Sequence, residues 1–342
     1  MIHFRRLQLN DVPWQHLDNF QDRVVFQTKS WLDFLCASQN GEAVVAEISE
    51  DGDAVGYFSG VLVRKAGFSI LGSSFPGWAT PYVGFNLIPN RSRAAILPAF
   101  QDWAFHELNC MHFEVSDLHF ATGDADGIGV SSSFYETYQS DLRRSEDELF
   151  SAMNSACRRC IRKAEKSGVT IEESSDLEFA EEYYEQLKDV FAKQGKTPTY
   201  NLERVRLLIK HVHPSGNLLL LRARSAEGTC IGTGIYPGFN KSCEFWGNAS
   251  WRQHQHLRPN ETLHWYAMRY WKRRGAELFD WGGGGEYKEK YGVVPLRVPW
   301  FYKSKYKWIT SARDGLRSLY YSAQPLIGRL KGKKAATAEE RD

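Results

Sequence analysis

Apolar and polar residues alternate along this chain with two periods, and the switches between them lay out its elements. Period-two runs and short continuous apolar runs predict strands over Ile2–Leu9, Ala43–Ile48, Ala54–Arg64, Phe68–Ser73 and His112–Leu118. The turn sequence Glu50-Asp51-Gly52-Asp53 joins the second and third of these. Helical spacing predicts a short helix near 14–20 and a second one, capped by Thr28, that carries Trp31, Phe34 and Leu35. A third helix is expected over 92–108, with Ile96, Phe100, Trp103 and Leu108 on one side. Residues 74–90 read as one long loop rich in Gly, Pro and aromatic side chains, a length usually reserved for functional loops.

The second half repeats the order. A strand is expected over Phe134–Leu142. The capping box of Ser145 and Glu148 then opens a helix through Leu149, Met153, Ala156, Cys160 and Ala164, with Gly168 past its end. A second box, Ser175 with Glu178, opens a helix to Lys193, and Leu202, Val205, Ile209 and Val212 mark a third. Strands Leu218–Arg224, Cys230–Gly238 and Cys243–Ala249 follow, then a polar loop over 250–258. Pro259 starts a helix that ends in Lys272, Arg273 and Arg274 before Gly275. After it come a strand over Ala276–Trp281, four consecutive glycines at 282–285, and a last strand over Val298–Lys305.

Each half thus reads as strand, helices, three strands, helix, strand. The repetition is of elements and not of letters, and it predicts two copies of one α/β unit with mixed sheets and a cleft between them. The Gly-, Asp- and Ser-rich stretch 119–133 supplies the boundary: a first domain at 1–132, a second at 133–310, and a basic tail at 311–342. A solvated loop within one domain is the other reading of that stretch. A length of 342 residues suits two domains, and a 42% hydrophobic content suffices for a core. The net charge of +2 argues neither for nor against nucleic acid as a whole-chain partner. Aromatic residues make up 14% of the chain, enough to line a sugar or nucleobase cleft as well as the core. Six scattered cysteines read as free thiols of a reducing cytoplasm, and Cys157 with Cys160, lacking a second pair, as packing residues. No stretch has the apolar length of a membrane-spanning helix. In the tail, Arg317, Arg329, Lys331, Lys333 and Lys334 surround apolar residues and would suit peripheral contact with the inner face of an anionic membrane. A frayed basic terminus is the alternative.

Three stretches carry letters as well as pattern. Arg158, Arg159, Ile161, Arg162, Lys163, Ala164 and Gly168 fall in the order R-x-x-I-R-K-A-x-x-x-G. Pro259-Asn260-Glu261-Thr262-Leu263-His264-Trp265 opens a helix, and Phe279-Asp280-Trp281-Gly282-Gly283 precedes Tyr287-Lys288-Glu289-Lys290-Tyr291-Gly292. Together these resemble the GNAT acyltransferase unit in its tandem, Fem-type form with a BioF-like acetyltransferase domain. The first half matches mainly by element order and by Phe26-Gln27-Thr28 before Trp31. The resemblance implies two tandem GNAT-like domains. The second would bind a donor, acyl-CoA as a transient co-substrate or an aminoacyl-tRNA. The cleft would hold an amine acceptor, a small or lipid-linked amino sugar or cell-envelope precursor. Nucleic acid would be a partner only if the donor is a charged tRNA.

Acyl transfer to an amine needs donors aimed at developing negative charge and a route for the amine proton. Lys288 matches the lysine of the family's closing motif and is the candidate for the first task, with Lys290 as register alternative and a solvated loop lysine as the plain reading. Asp280 and Glu286 are candidate bases, with a cap on the glycine turn as the favoured reading of Asp280. Trp246 and Asn248 lie on the expected donor strand. Arg252, Arg258 and the amides near Asn260 would hold donor phosphates, although the loop 251–258 lacks the glycines usual there. Trp78, Tyr82 and Asn86 of the first-half loop, with Tyr287, would meet the acceptor. His254 and His256 alternate, but no carboxylate or cysteine completes a metal spacing, and the glycine run lacks the Gly-Lys-Ser/Thr ending of a P-loop. Two other readings remain open: a non-catalytic carbohydrate- or nucleotide-sugar-binding protein on the same scaffold, and an RNA-binding protein using the basic helix.

Overall fold

Side-chain caps set where the helices begin, and strand pairing sets what they cover. The computed structural model describes residues 1–309 apart from 66, 74, 76 and 194. The basic tail therefore lies outside the described residues, with its proposed membrane contact. The first half comprises β1 (Ile2–Leu7), α1 (Trp14–Leu17), α2 (Lys29–Gln39), β2 (Glu42–Glu50), β3 (Asp53–Lys65), β4 (Phe68–Gly72), β5 (Gly84–Leu87), α3 (Arg93–Asp102) and β6 (His112–Ser116). The second comprises β7 (Ser131–Asp141), α4 (Glu146–Ala152), α5 (Ser155–Lys166), β8 (Thr170–Ser174), α6 (Phe179–Ala192), α7 (Leu202–Val212), β9 (Leu218–Arg224), β10 (Cys230–Phe239), β11 (Ser242–Glu244), β12 (Gly247–Ser250), α8 (Pro259–Arg273), β13 (Leu278–Asp280) and β14 (Val294–Ser304).

Several local expectations change. The capping box is present, with the Ser145 hydroxyl accepting from the Glu148 amide and Glu148 accepting from the Ser145 amide. The helix it opens stops at Ala152, because Asn154 accepts from the Cys157 amide at 2.8 Å and starts a new helix, α5. At α6 the cap is Asp176, which accepts from Phe179 at 3.0 Å, and not Ser175. The stretch read as a single strand over 243–249 is two, β11 and β12. Two strands were not foreseen, β5 inside the long loop and β8 before α6.

The strands form one mixed sheet in the order β1-β2-β3-β4-β6-β14-β7-β13-β11-β10-β9-β8, with β5 added on β3 and β12 on β10. The last strand among the described residues, β14, pairs with β6 on one side and β7 on the other, so the two units share a continuous sheet across their junction. One apolar core belongs to the first unit (Phe4, Phe58, Phe100, Phe113) and one to the second (Ile161, Leu221, Met268, Phe279). A third is built from both, with Trp31 and Phe34 of α2 buried alongside Val205 and Ile209 of α7. Burying apolar surface from both units in one core couples their folding.

Candidate active site

The site begins where neighbouring strands part. β11 runs parallel to β13 from Ser242 opposite Leu278 to Glu244 opposite Asp280. The Phe245 amide still donates to the Asp280 carbonyl at 2.8 Å, but the next amide, of Trp246, donates to Ile235 on β10 at 3.1 Å. From Gly247 on, β12 pairs with β10 alone, while β13 has ended. A strand bonded on one side leaves alternate N–H and C=O groups on its other edge. Among the described residues no side chain is bonded to that edge of β12.

The first unit makes the same divergence and closes it. β4 runs parallel to β6 as far as Gly72 opposite Glu114, and β5 rejoins β3. The Phe85 amide donates to Asp117 at 2.7 Å and the Leu87 amide to Asp22 at 3.0 Å, while the Phe85 carbonyl accepts from Arg93 at 3.2 Å. Side chains occupy in the first unit the edge that stands open in the second.

Beside the open divergence lies a cavity of about 460 Å³ between the units. The first-half loop supplies one wall (Phe75, Gly77, Ala79, Thr80), and Tyr135, Tyr200, Trp246 and Trp300 supply aromatic surfaces. Glu244 opens into it although the residue is only 6% exposed. Burial, then the neighbouring Asp280, pushes its carboxyl well above the usual carboxylate range, against the opposing pull of Lys288. Tyr135 accepts from the Gly283 amide and has no acceptor for its own proton among the described residues. Burial, with Glu244 and Asp280 next, holds that phenol well above its ordinary value. A methyl placed on Gly282 would lie 3.3 Å from Glu244 Oε1 and 3.8 Å from Tyr135 Oη, so both oxygens flank this glycine. It would also lie 3.0 Å from the Phe245 carbonyl, at φ 58°, so the turn requires glycine.

Asp280 is buried and fully engaged. It accepts from the Tyr82 hydroxyl and from Thr137, each at 2.5 Å, from the Gly282 amide at 2.8 Å and from the Gln139 side-chain amide at 3.3 Å. It caps the glycine turn and ties the first half to it, which leaves it no free lone pair aimed at a substrate. Lys288 is 3% exposed. Its ammonium donates to the carbonyls of Trp281 at 2.7 Å, of Gly283 at 3.0 Å and of Gly282. With its three donors on the glycine loop, it has none left for an oxyanion or a phosphate. Burial lowers its pKa to about 8, with Asp280 and Glu244 opposing. Tyr291 of the same motif stacks on Trp281 at 4.2 Å, and a methyl on Gly292 would meet the Ala152 carbonyl at 2.5 Å. The motif is thus a staple for the glycine loop.

The other expected residues scatter. Trp246 lines the cavity and donates from its indole to the Ala79 carbonyl at 3.1 Å. Asn248 sits on β12. Tyr82 lies beneath the cavity on Asp280, and Asn86 is buried in the first unit on Arg23 and Gln27. Trp78 packs on Phe75 at 4.7 Å and gives its carbonyl to Arg204. Glu286 and Tyr287 are exposed. Arg252 is paired with Asp189 at 3.0 Å. Arg258 closes a second cavity, of about 630 Å³, whose other cations are Arg159, Arg162, Lys163 and Lys166 of α5. It stands at the N-terminus of α8, directly before Pro259 and two residues before Asn260. Glu244 and Tyr135 are the polar cavity residues that sequence reasoning missed. The available signal for Glu244 was a lone carboxylate inside an otherwise apolar strand.

Residues 151–291 match the acetyltransferase (GNAT) domain family. No curated protein sequence matches the chain. Among solved structures, FemX is similar over 87% of this chain and 96% of its own, at 14% identity and a TM-score of 0.70. A tandem GNAT protein from the clavulanic acid biosynthesis pathway matches over 89% and 98%, at 13% identity and 0.53. L-PGS from Bacillus licheniformis matches over 82% and 88%, at 11% identity and 0.51. These likenesses are of fold, and they span both units. Residues 151–291 therefore match the acetyltransferase (GNAT) domain family, and the chain as a whole has the fold of the tandem and Fem-type structures.

Proposed function

We propose that this chain is an N-acyltransferase that moves an acyl group from a thioester donor to an amine held in the interdomain cavity. The observation that carries the reading is Glu244, an unpaired buried carboxylate where β11–β12 and β13 part. The open edge of β12 supports binding of an extended donor arm by backbone hydrogen bonds, with Trp246 and Asn248 beside it. The cavity of Arg159, Arg162, Lys163, Lys166 and Arg258 suits the donor's phosphates, next to the α8 N-terminus. Glu244 takes a proton from the acceptor ammonium, and the freed amine attacks the acyl carbonyl. The C–S bond breaks as the C–N bond forms; Tyr135 supplies a proton to the leaving sulfur and recovers one from the new amide nitrogen. Asp280, Tyr82 and Lys288 hold the glycine loop that positions Gly282 and Gly283.

Acyl-CoA is the donor we favour, since five cations around one cavity match a compact cluster of phosphates. Aminoacyl-tRNA is the second donor, with a longer anionic backbone for the same α5 face. The acceptor would be an amino sugar or a cell-envelope precursor, met from the cytoplasmic side. Lipid-linked acceptors would bring the basic tail into play. No helix among the described residues is long and apolar enough to cross a membrane. Incubating the protein with acetyl-CoA and a panel of amino sugars, with release of free thiol as readout, tests the reading. Turnover is expected, and Glu244→Gln should lower it about 10²- to 10⁴-fold, the usual range for a general base. Binding of an amino sugar without thiol release from any acyl-CoA, and without aminoacyl transfer from tRNA, would favour the carbohydrate-binding alternative.

A further inference from the structure

We propose that the acceptor enters the interdomain cavity as a cation, a primary ammonium on an uncharged body with flat apolar faces, and not as an anionic or nucleotide-linked amine. This rests on the reading of that cavity as the acceptor's. Glu244 is the one charged side chain among the described residues that line it. Two buried cations stand behind its walls, and both donate to main-chain carbonyls there. Arg204 donates to Gly77 at 3.1 Å and to Trp78, and its Nε is buried beyond a ligand's reach. Lys288 donates to the carbonyls of the glycine loop. A carboxylate or phosphate brought here would lose its hydration beside a like charge, with no side-chain cation to pair with it.

An ammonium meets the opposite conditions. Glu244 offers a charge-assisted hydrogen bond, and the Trp246 ring lines the cavity beside Tyr200, whose own ring already carries the Arg204 guanidinium at 5.7 Å. The remaining aromatic walls, Phe75, Phe134 and Trp300, suit the C–H faces of a sugar ring or an aryl group. A volume of about 460 Å³ takes one such ring with its substituents. The carboxylate that attracts the ammonium is also the group that removes its proton, so recognition and activation fall on the same side chain.

The test uses three probes of one shape and three charges: benzylamine, benzyl alcohol and benzoate, titrated calorimetrically into the full chain. Benzylamine should bind at least about tenfold more tightly than benzoate, a difference of about 1.4 kcal/mol or more. Glu244→Gln should bring the three affinities to within a few-fold of one another. Equal binding of benzylamine and benzoate by the unaltered protein, or preference for benzoate, overturns the proposal. Acyl transfer is measured separately with glucosamine and glucosamine 6-phosphate. Amine preference without turnover on any donor sinks the transferase reading and leaves the cationic site standing. Turnover that prefers the phosphorylated sugar sinks the cationic site and leaves the transferase.

Discussion

Glu244 has the two properties a general base must reconcile: access to a substrate, and a proton affinity high enough to hold what it removes. Burial is the main cause of the second, Asp280 adds to it, and Lys288 opposes. The sign of the pH dependence follows. As the proposed base, Glu244 works only as carboxylate, so kcat/KM should climb with pH, with a midpoint well above the ordinary glutamate value of about 4.3. Glu244→Gln should flatten that limb as well as remove activity. Stability should move the other way. A carboxyl raised in the folded state holds a proton that the unfolded chain has already lost, so its contribution is present below the unfolded pKa and disappears as pH rises through the folded one. At neutral pH the glutamine variant should therefore melt higher than the unaltered protein, whereas at pH 4 the two should converge. Thermal melts at the two pH values check this. A residue kept for packing alone would show no gain on substitution.

At the scale of elements, the glycine loop is held from below by one ammonium. Lys288→Met would leave the carbonyls of 281–283 without their shared donor, and an unsatisfied buried polar group costs about 1–3 kcal/mol. We expect denaturant unfolding to show a loss of that size. Transfer should fall because Gly283 no longer fixes Tyr135, while donor affinity, carried by α5 and β12, should stay within a few-fold. A collapse of donor affinity instead would return Lys288 to a phosphate-binding role. The loop also shows what the letters could and could not convey. The glycine run, Pro259, the Ser145–Glu148 box and the closing motif are local features, each legible from a few neighbours, and all four form. The lysine was conspicuous for the same reason, but its task depends on where the loop folds back. β8 was hidden because Thr170–Ser174 is a polar edge strand whose Glu172 faces Arg222 and Arg224 rather than a core. β5 was hidden because its edge is satisfied by Asp117, Asp22 and Arg93 from distant parts of the chain. Glu244 and Tyr135 come together only when β11 and β7 both pair with β13, at a sequence separation no window spans.

Across the whole molecule, two units of one design have diverged in what they do with the same gap. In both, a strand runs parallel to its neighbour for three residues and then leaves it. In the second unit only Phe245 and Trp246 separate the two strand segments, and the freed edge of β12 stays open. In the first unit the interval from β4 to β5 has grown into the loop that walls the second unit's cavity. That loop is clamped by Arg204, Trp246 and Asp280 of the other half. The first unit's own edge is closed by two carboxylates and an arginine, and Arg93 is itself bridged to Asp117 at 2.9 Å and Asp22 at 2.7 Å. Opening that slot would break a part-buried ion-pair network and leave the buried Asp117 carboxylate without its cation, which is destabilising. A donor arm has no comparable barrier at β12. The chain should accordingly bind one donor and not two. Equilibrium dialysis with a non-hydrolysable acyl-CoA thioether should saturate at one per chain. Arg258→Glu together with Lys163→Glu should weaken that binding at least about tenfold without creating a second class of site. Saturation at two per chain would mean that the Asp117–Arg93–Asp22 network opens under the donor, and that the first unit retains the activity its sealed edge argues against.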